Sequence, residues 1–127
     1  MTVKFTRKSV IKEGILAVEQ LELHIHPALQ VAMGDLFISQ IQSKSIHFLL
    51  ETHSEHLMLR FLRRIRETEA GDLPPGKWPL EPDQLAVYYI EQSEKGIKAT
   101  AIGVDEEGEF VDRWPKGFFS ERMKELF

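Results

Sequence analysis

Two short apolar runs in this chain end in acids and histidines. The stretch ILAVEQLELHIHP, residues 15–27, passes from four apolar residues to Glu19, Gln20 and Glu22, then to His24, His26 and Pro27. The stretch IHFLLETHSEH, residues 46–56, passes from a second apolar run to Glu51, Thr52, His53 and His56. Runs this short and continuous are expected to be buried parallel strands, and open α/β sheets bind their ligands outside the carboxyl ends of such strands. Carboxylates and imidazoles gathered at one sheet edge suit phosphate chemistry. They also suit a zinc or di-metal hydrolase built from His24, His26, His53 and His56 with Glu19 and Glu51. The spacing weighs against that metal set, because the His-x-His pair runs into a proline that opens a helix, while HSEH sets its histidines at i, i+3.

Taken together, the two segments resemble ABC-type AAA ATPases of the OLD, RecF and SMC kind. The first looks like a Walker B strand running into the D-loop position, and the second like the switch-histidine segment Thr-His-Ser. The tail VDEEGEFVDRWPKGFF, residues 104–119, resembles a C-terminal domain of unknown function carried by some OLD-like predicted ATPases. The resemblance covers residues 13–67 and, more loosely, 85–119. It implies ATP and Mg2+ as cofactors, with Glu19 holding the metal through water and His53 bonding the γ-phosphate. It also puts Gln20 where a second acid usually orients or deprotonates the attacking water. A carboxamide orients water but takes no proton, so slow or regulated turnover is expected, with Glu22 as a substitute base. Leu21 stands where a proline is common. In this superfamily His24, His26 and Pro27 would lie at a dimer interface.

The pattern of a P-loop, G-x-x-x-x-G-K-[ST], is absent, although the chain has eight glycines, and no Gly-rich signature segment occurs. The expected fold is therefore α/β: the parallel βαβ half of a P-loop NTPase, with a small antiparallel β module after it. The chain is read as a fragment, a split subunit or a truncated reading frame that is inactive without a P-loop-containing lobe. A non-catalytic interaction module that completes another subunit is the further alternative.

Composition narrows the field. With 127 residues, 43% hydrophobic and 28% charged, the chain has the make-up of an ordinary soluble domain, and its net charge of -4 argues neither for nor against nucleic acid. The absence of cysteine excludes disulfides and thiolate chemistry. No run reaches the roughly 18 apolar residues of a membrane span, and the start shows no signal-peptide core, so a cytoplasmic location is expected.

The elements that must position these residues follow from local pattern. Residues 1–14 read as a strand plus turn or as a lead into Gly14. After Pro27, apolar residues at Leu29, Ala32, Met33, Leu36, Phe37 and Ile41 predict an amphipathic helix, completing a βαβ unit. Thr52 and Glu55 have capping-box spacing and predict a second helix to about residue 67, with Leu57, Phe61, Leu62 and Ile65 inward. Arg60, Arg63, Arg64 and Arg66 are expected on its other face, either solvated or as a stripe for a DNA backbone. The Pro- and Gly-rich residues 70–84 predict a linker between a unit at 1–69 and a module at 85–127. In that module, residues 85–90 and 97–103 predict a hairpin, residues 109–111 a short strand and residues 120–127 a helix. Trp114, Phe118 and Phe119 read as a satellite core, and Asp105, Glu106, Glu107 and Asp112 as a polar turn.

Overall fold

The computed structural model describes residues 2–5, 14–20, 25–44 and 46–112. The elements are β1 (Thr2–Phe5), β2 (Gly14–Glu19), α1 (Pro27–Ser43), β3 (Ile46–Glu51), α2 (Glu55–Ala70), β4 (Leu85–Ser93) and β5 (Gly96–Ile102). The strands form one five-stranded sheet in the order β2-β3-β1-β4-β5. A parallel pair, β2 with β3, and an antiparallel hairpin, β4 with β5, are joined through β1, which runs antiparallel to both of its neighbours. The expected α/β class and βαβ unit are therefore present as β2-α1-β3. The expected helix at 120–127 and the aromatic cluster at Trp114, Phe118 and Phe119 lie outside the described residues.

The boundary expected at residues 70–84 is not a break in the sheet. Leu80, inside that stretch, is fully buried in the same hydrophobic cluster as Phe48 of β3, Phe61 of α2 and Val87 of β4. Its backbone N–H donates to Thr68 Oγ1 at 3.0 Å, and the Pro79 carbonyl accepts from Gln42 Nε2 at 2.8 Å. Proline and glycine set the local path of this loop, and one buried leucine pins it. Gly71 ends α2 in the left-handed conformation, its N–H returning to the last turn.

The core lies on one side of the sheet. Phe37, Ile38 and Ile41 of α1 and Leu57, Met58, Phe61, Leu62 and Ile65 of α2 bury themselves with Phe48, Leu50, Leu85, Val87 and Ile102, and the Phe37 and Phe48 rings meet edge to face at 4.9 Å. For α2 the inward positions are those expected. For α1 the buried stripe is Gln30, Gly34, Phe37, Ile38 and Ile41, while Leu29, Ala32 and Leu36 face outward. A helix apolar on most sides gives no unique inward face.

The opposite side of the sheet carries an unusual surface. Strand alternation sets Ile15, Leu49, Tyr88, Ile90 and Ile97 on it, all exposed, with Ile15 and Ile97 at 76%. Leu16, on the helix-covered side, is also half exposed at the sheet edge. Parallel strands are ordinarily covered on both faces, and the free face of an antiparallel pair is ordinarily polar. Among the described residues this face carries no helix and is not uniformly polar, although His47, which shares it, is buried.

Arg64 corrects the expected arginine stripe. Its side chain is only 3% exposed, and the guanidinium bonds Asp35 Oδ1 through Nε at 2.8 Å and Glu67 Oε2 through Nη1 at 2.8 Å. Arg60 reaches Asp35 Oδ2 at 2.7 Å and Lys77 lies 3.6 Å from the same atom, so one α1 carboxylate gathers three cations. Gly34, next to that carboxylate, lets the helices close up: a Cβ there would stand 3.1 Å from Arg60 Cγ. Burial pushes the Asp35 carboxyl up, but the Arg64 hydrogen bond and charge, with Arg60 and Lys77, outweigh it and hold the group below the ordinary aspartate range. A depressed carboxyl contributes stability that is full above its unfolded value of about 3.9 and is lost as pH falls through its lower folded value.

Three outcomes are expected. Asp35→Asn leaves Arg64 buried with Glu67 as its remaining carboxylate and costs about 3 kcal/mol at pH 7; urea titrations at pH 7 and pH 3 should show the gap between variant and parent shrinking in acid. Gly108 has φ 72, and a Cβ there would lie 2.2 Å from the Leu62 carbonyl oxygen. Gly108→Ala should therefore cost about 3 kcal/mol in thermal melts. Gly76→Ala, at φ 78 with nothing within 4 Å, should cost about 1 kcal/mol.

Candidate functional site

The parallel ladder brings the two sequence segments together. β2 and β3 run side by side in register from Gly14 opposite Ile46 to Glu19 opposite Glu51. Two exposed carboxylates thus stand on neighbouring strands at the shared carboxyl end, and His53, also exposed, follows two residues after Glu51. Gln20 continues the ladder by one bond, its N–H donating to the Glu51 carbonyl at 2.9 Å. To do so it takes φ 49, the one non-glycine positive φ among the described residues. A side chain in that region costs on the order of 1 kcal/mol or more, and such strain persists where neighbouring bonds enforce it. Glu22 and His24 lie outside the described residues.

The turn carrying His53 is built from its neighbours. Thr52 is buried and its Oγ1 accepts from Ser54 N at 2.9 Å. Ser54 is buried and caps α2 by accepting from Leu57 N at 3.1 Å. The cap is therefore Ser54, not the expected Thr52, because the threonine hydroxyl is taken up inside the turn. Between these two buried residues His53 is exposed. Gln30, which neither residue type nor spacing singled out, lies buried beneath this turn and accepts from the Ser54 hydroxyl 24 residues away.

His26 has a local task. It is the N-cap of α1, and its Nδ1 accepts from Ala28 N at 3.1 Å. A nitrogen that accepts carries no proton, so this contact uses the neutral ring with hydrogen on Nε2. His56 lies apart from His26, along a groove of about 530 Å³ lined by Val31, Leu59, Arg60, Arg63, Arg66 and Glu67. Among the described residues, His26, His53 and His56 do not form a three-ligand metal group. Asp105, Glu107 and Glu109 do bring oxygens within 4.8 Å of one another. There Asp105 Oδ1 accepts from the N–H groups of Glu107 and Glu109, the hydrogen bonding of a polar turn. His47 is buried inside β3 opposite Ile15.

The arginines of α2 are largely neutralised within the chain. Arg60 and Arg64 are bound to Asp35, and Arg63 to Glu67 at 2.7 Å. Among the described residues, no helix is long and apolar enough to cross a membrane.

Comparison with known proteins gives one match. A family model described as a protein of unknown function, DUF3696, matches residues 80–127, which begin at the buried Leu80 and take in β4 and β5. No curated protein and no solved structure matches the chain.

The conformation at Gln20 is open to a direct check. Gln20→Gly should be at least as stable as the parent, and Gln20→Val, with a β-branch that the left-handed region excludes, should fall about 1–2 kcal/mol below it in urea unfolding.

Proposed function

We propose that the chain is the Walker B and switch-histidine half of an OLD/RecF-like ATPase, completed by a lobe that brings the P-loop. The observation that supports this best is the in-register end of β2 and β3, where Glu19, Glu51 and the His53 turn share one sheet edge. Carboxylate oxygens of this kind are hard donors that suit Mg2+, and an exposed imidazole suits a phosphate oxygen. When bound, MgATP would supply the phosphoryl group that is cleaved and the metal charge that stabilises it. On this reading Glu19 holds the metal through water, Gln20 orients the attacking water without taking its proton, and His53 donates to the γ-phosphate. The match of residues 80–127 to DUF3696 agrees with the resemblance of the tail to a domain carried by OLD-like predicted ATPases.

The uncovered sheet face favours an incomplete assembly. Ile15, Leu49, Tyr88, Ile90 and Ile97 form the sort of surface that a second layer covers in open α/β sheets. The same face supports the alternative of a non-catalytic module that completes another subunit, a reading in which Gln20 needs no acid. A DNA-related or defence task, dimerisation through the His24 to Pro27 segment and a cytoplasmic location belong to the proposal as consequences of the resemblance.

The test is reconstitution. The purified chain alone should bind MgATP no tighter than about 1 mM in calorimetry. Mixed with a polypeptide bearing G-x-x-x-x-G-K-[ST] from the adjacent reading frame, it should gain ATP hydrolysis that Glu19→Gln or His53→Ala lowers at least about 100-fold. Tight binding by the chain alone would overturn the reading. Complex formation without turnover would favour the non-catalytic module.

A further inference from the structure

A hydrogen-bonded brace lies beneath the strand ends. Gln30, in the first turn of α1, is buried, and its amide spans two segments distant in sequence. Nε2 donates to the Ile25 carbonyl at 2.9 Å, and Oε1 accepts from Ser54 Oγ. Chemistry fixes the direction of each bond. The Ile25 carbonyl can only accept, so the amide nitrogen must face it. Ser54 Oγ already accepts from Leu57 N at 3.1 Å, which leaves its proton to donate, and that proton meets Oε1. A flipped amide would set oxygen against the Ile25 carbonyl and leave the hydroxyl proton without an acceptor, which is costly in a buried place.

We propose that Gln30 is a positioning residue that makes the Thr52 to Ser54 turn and the Ile25 to His26 lead into α1 move as one unit. The exposed His53 is then presented at a fixed place relative to the start of α1, and a displacement of either segment is passed to the other. Burial of Thr52 and Ser54 on either side of His53 transmits the constraint to the imidazole-bearing residue itself. The inference rests on the proposed ATPase reading only for what His53 would touch; the brace exists without nucleotide.

Each arm can be cut by itself. Gln30→Glu keeps an acceptor for the Ser54 hydroxyl but turns a carboxylate oxygen toward the Ile25 carbonyl. Ser54→Asp keeps an acceptor for Leu57 N–H, and so the helix cap, but has no proton for Gln30 Oε1. The experiment is amide hydrogen exchange by NMR on the full chain without nucleotide, together with the ring resonances of His53. Either variant should speed exchange about tenfold on both sides of the brace, at Leu29 and Gln30 and at Ser54 and Met58. The amides of Phe61 to Ile65 should keep the parent rate, and the His53 ring signals should move in both variants. Changes confined to the side that was cut would overturn the proposal, as would a uniform rise that includes Phe61 to Ile65. If Gln30→Glu does not fold, Ser54→Asp, which cuts only the Ser54 arm, decides the comparison by itself. Absence of turnover in the reconstitution would leave this result standing, and a failed brace would leave the ATPase reading standing.

Discussion

A guanidinium with 3% of its side chain exposed must be held by carboxylates, and Arg64 is held by one from each helix: Asp35 of α1 and Glu67 of α2. That requirement fixes how the two helices lie against each other. Because α2 starts directly at the Ser54 cap that ends the turn after β3, fixing the helices also bears on the exit of β3. Gly34 allows the close approach, and the shared core of Phe37, Ile38, Phe61 and Ile65 supplies the apolar burial around it. The two helices are thus tied together by a buried ion cluster along their length and by the Gln30 amide, which joins the start of α1 to the turn after β3.

The layers are uneven. Both helices cover one side of the sheet, and among the described residues the other side presents Ile15, Leu49, Tyr88, Ile90 and Ile97. The candidate site lies at the carboxyl end of this half-covered sheet. Glu19 and Glu51 meet in register, and the proposed phosphate cradle would come from the same companion that covers the apolar face.

Much of the sheet was legible because local pattern determined it. The apolar runs at 15–18 and 46–50 became β2 and β3, and residues 85–93 with 96–102 became the hairpin, where the left-handed turn needs Gly96 at φ 113. The inward face of α2 followed from its spacing, since charged residues flank the apolar stripe. For α1 the spacing misled, since Leu29, Ala32 and Leu36 offered as good a stripe as the one actually buried, and the buried one contains Gln30 and Gly34. The place of β1 between β3 and β4 depends on pairing across tens of residues, which periodicity does not record. The same holds for Arg64, whose type suggests solvent while its partner lies 29 residues away, and for Gln30, one of whose bonds reaches the turn at Ser54, 24 residues away. Composition at 70–84 showed where the chain bends and not that Leu80 fastens it to the core.

Among the described residues β2 is one of the two edge strands of the sheet, and side chains on both of its faces are exposed. An apolar edge of this kind is a template for pairing with other chains. A free copy is therefore a natural client for cellular quality control, and on the proposed reading chaperones and proteases would compete with the companion lobe for it.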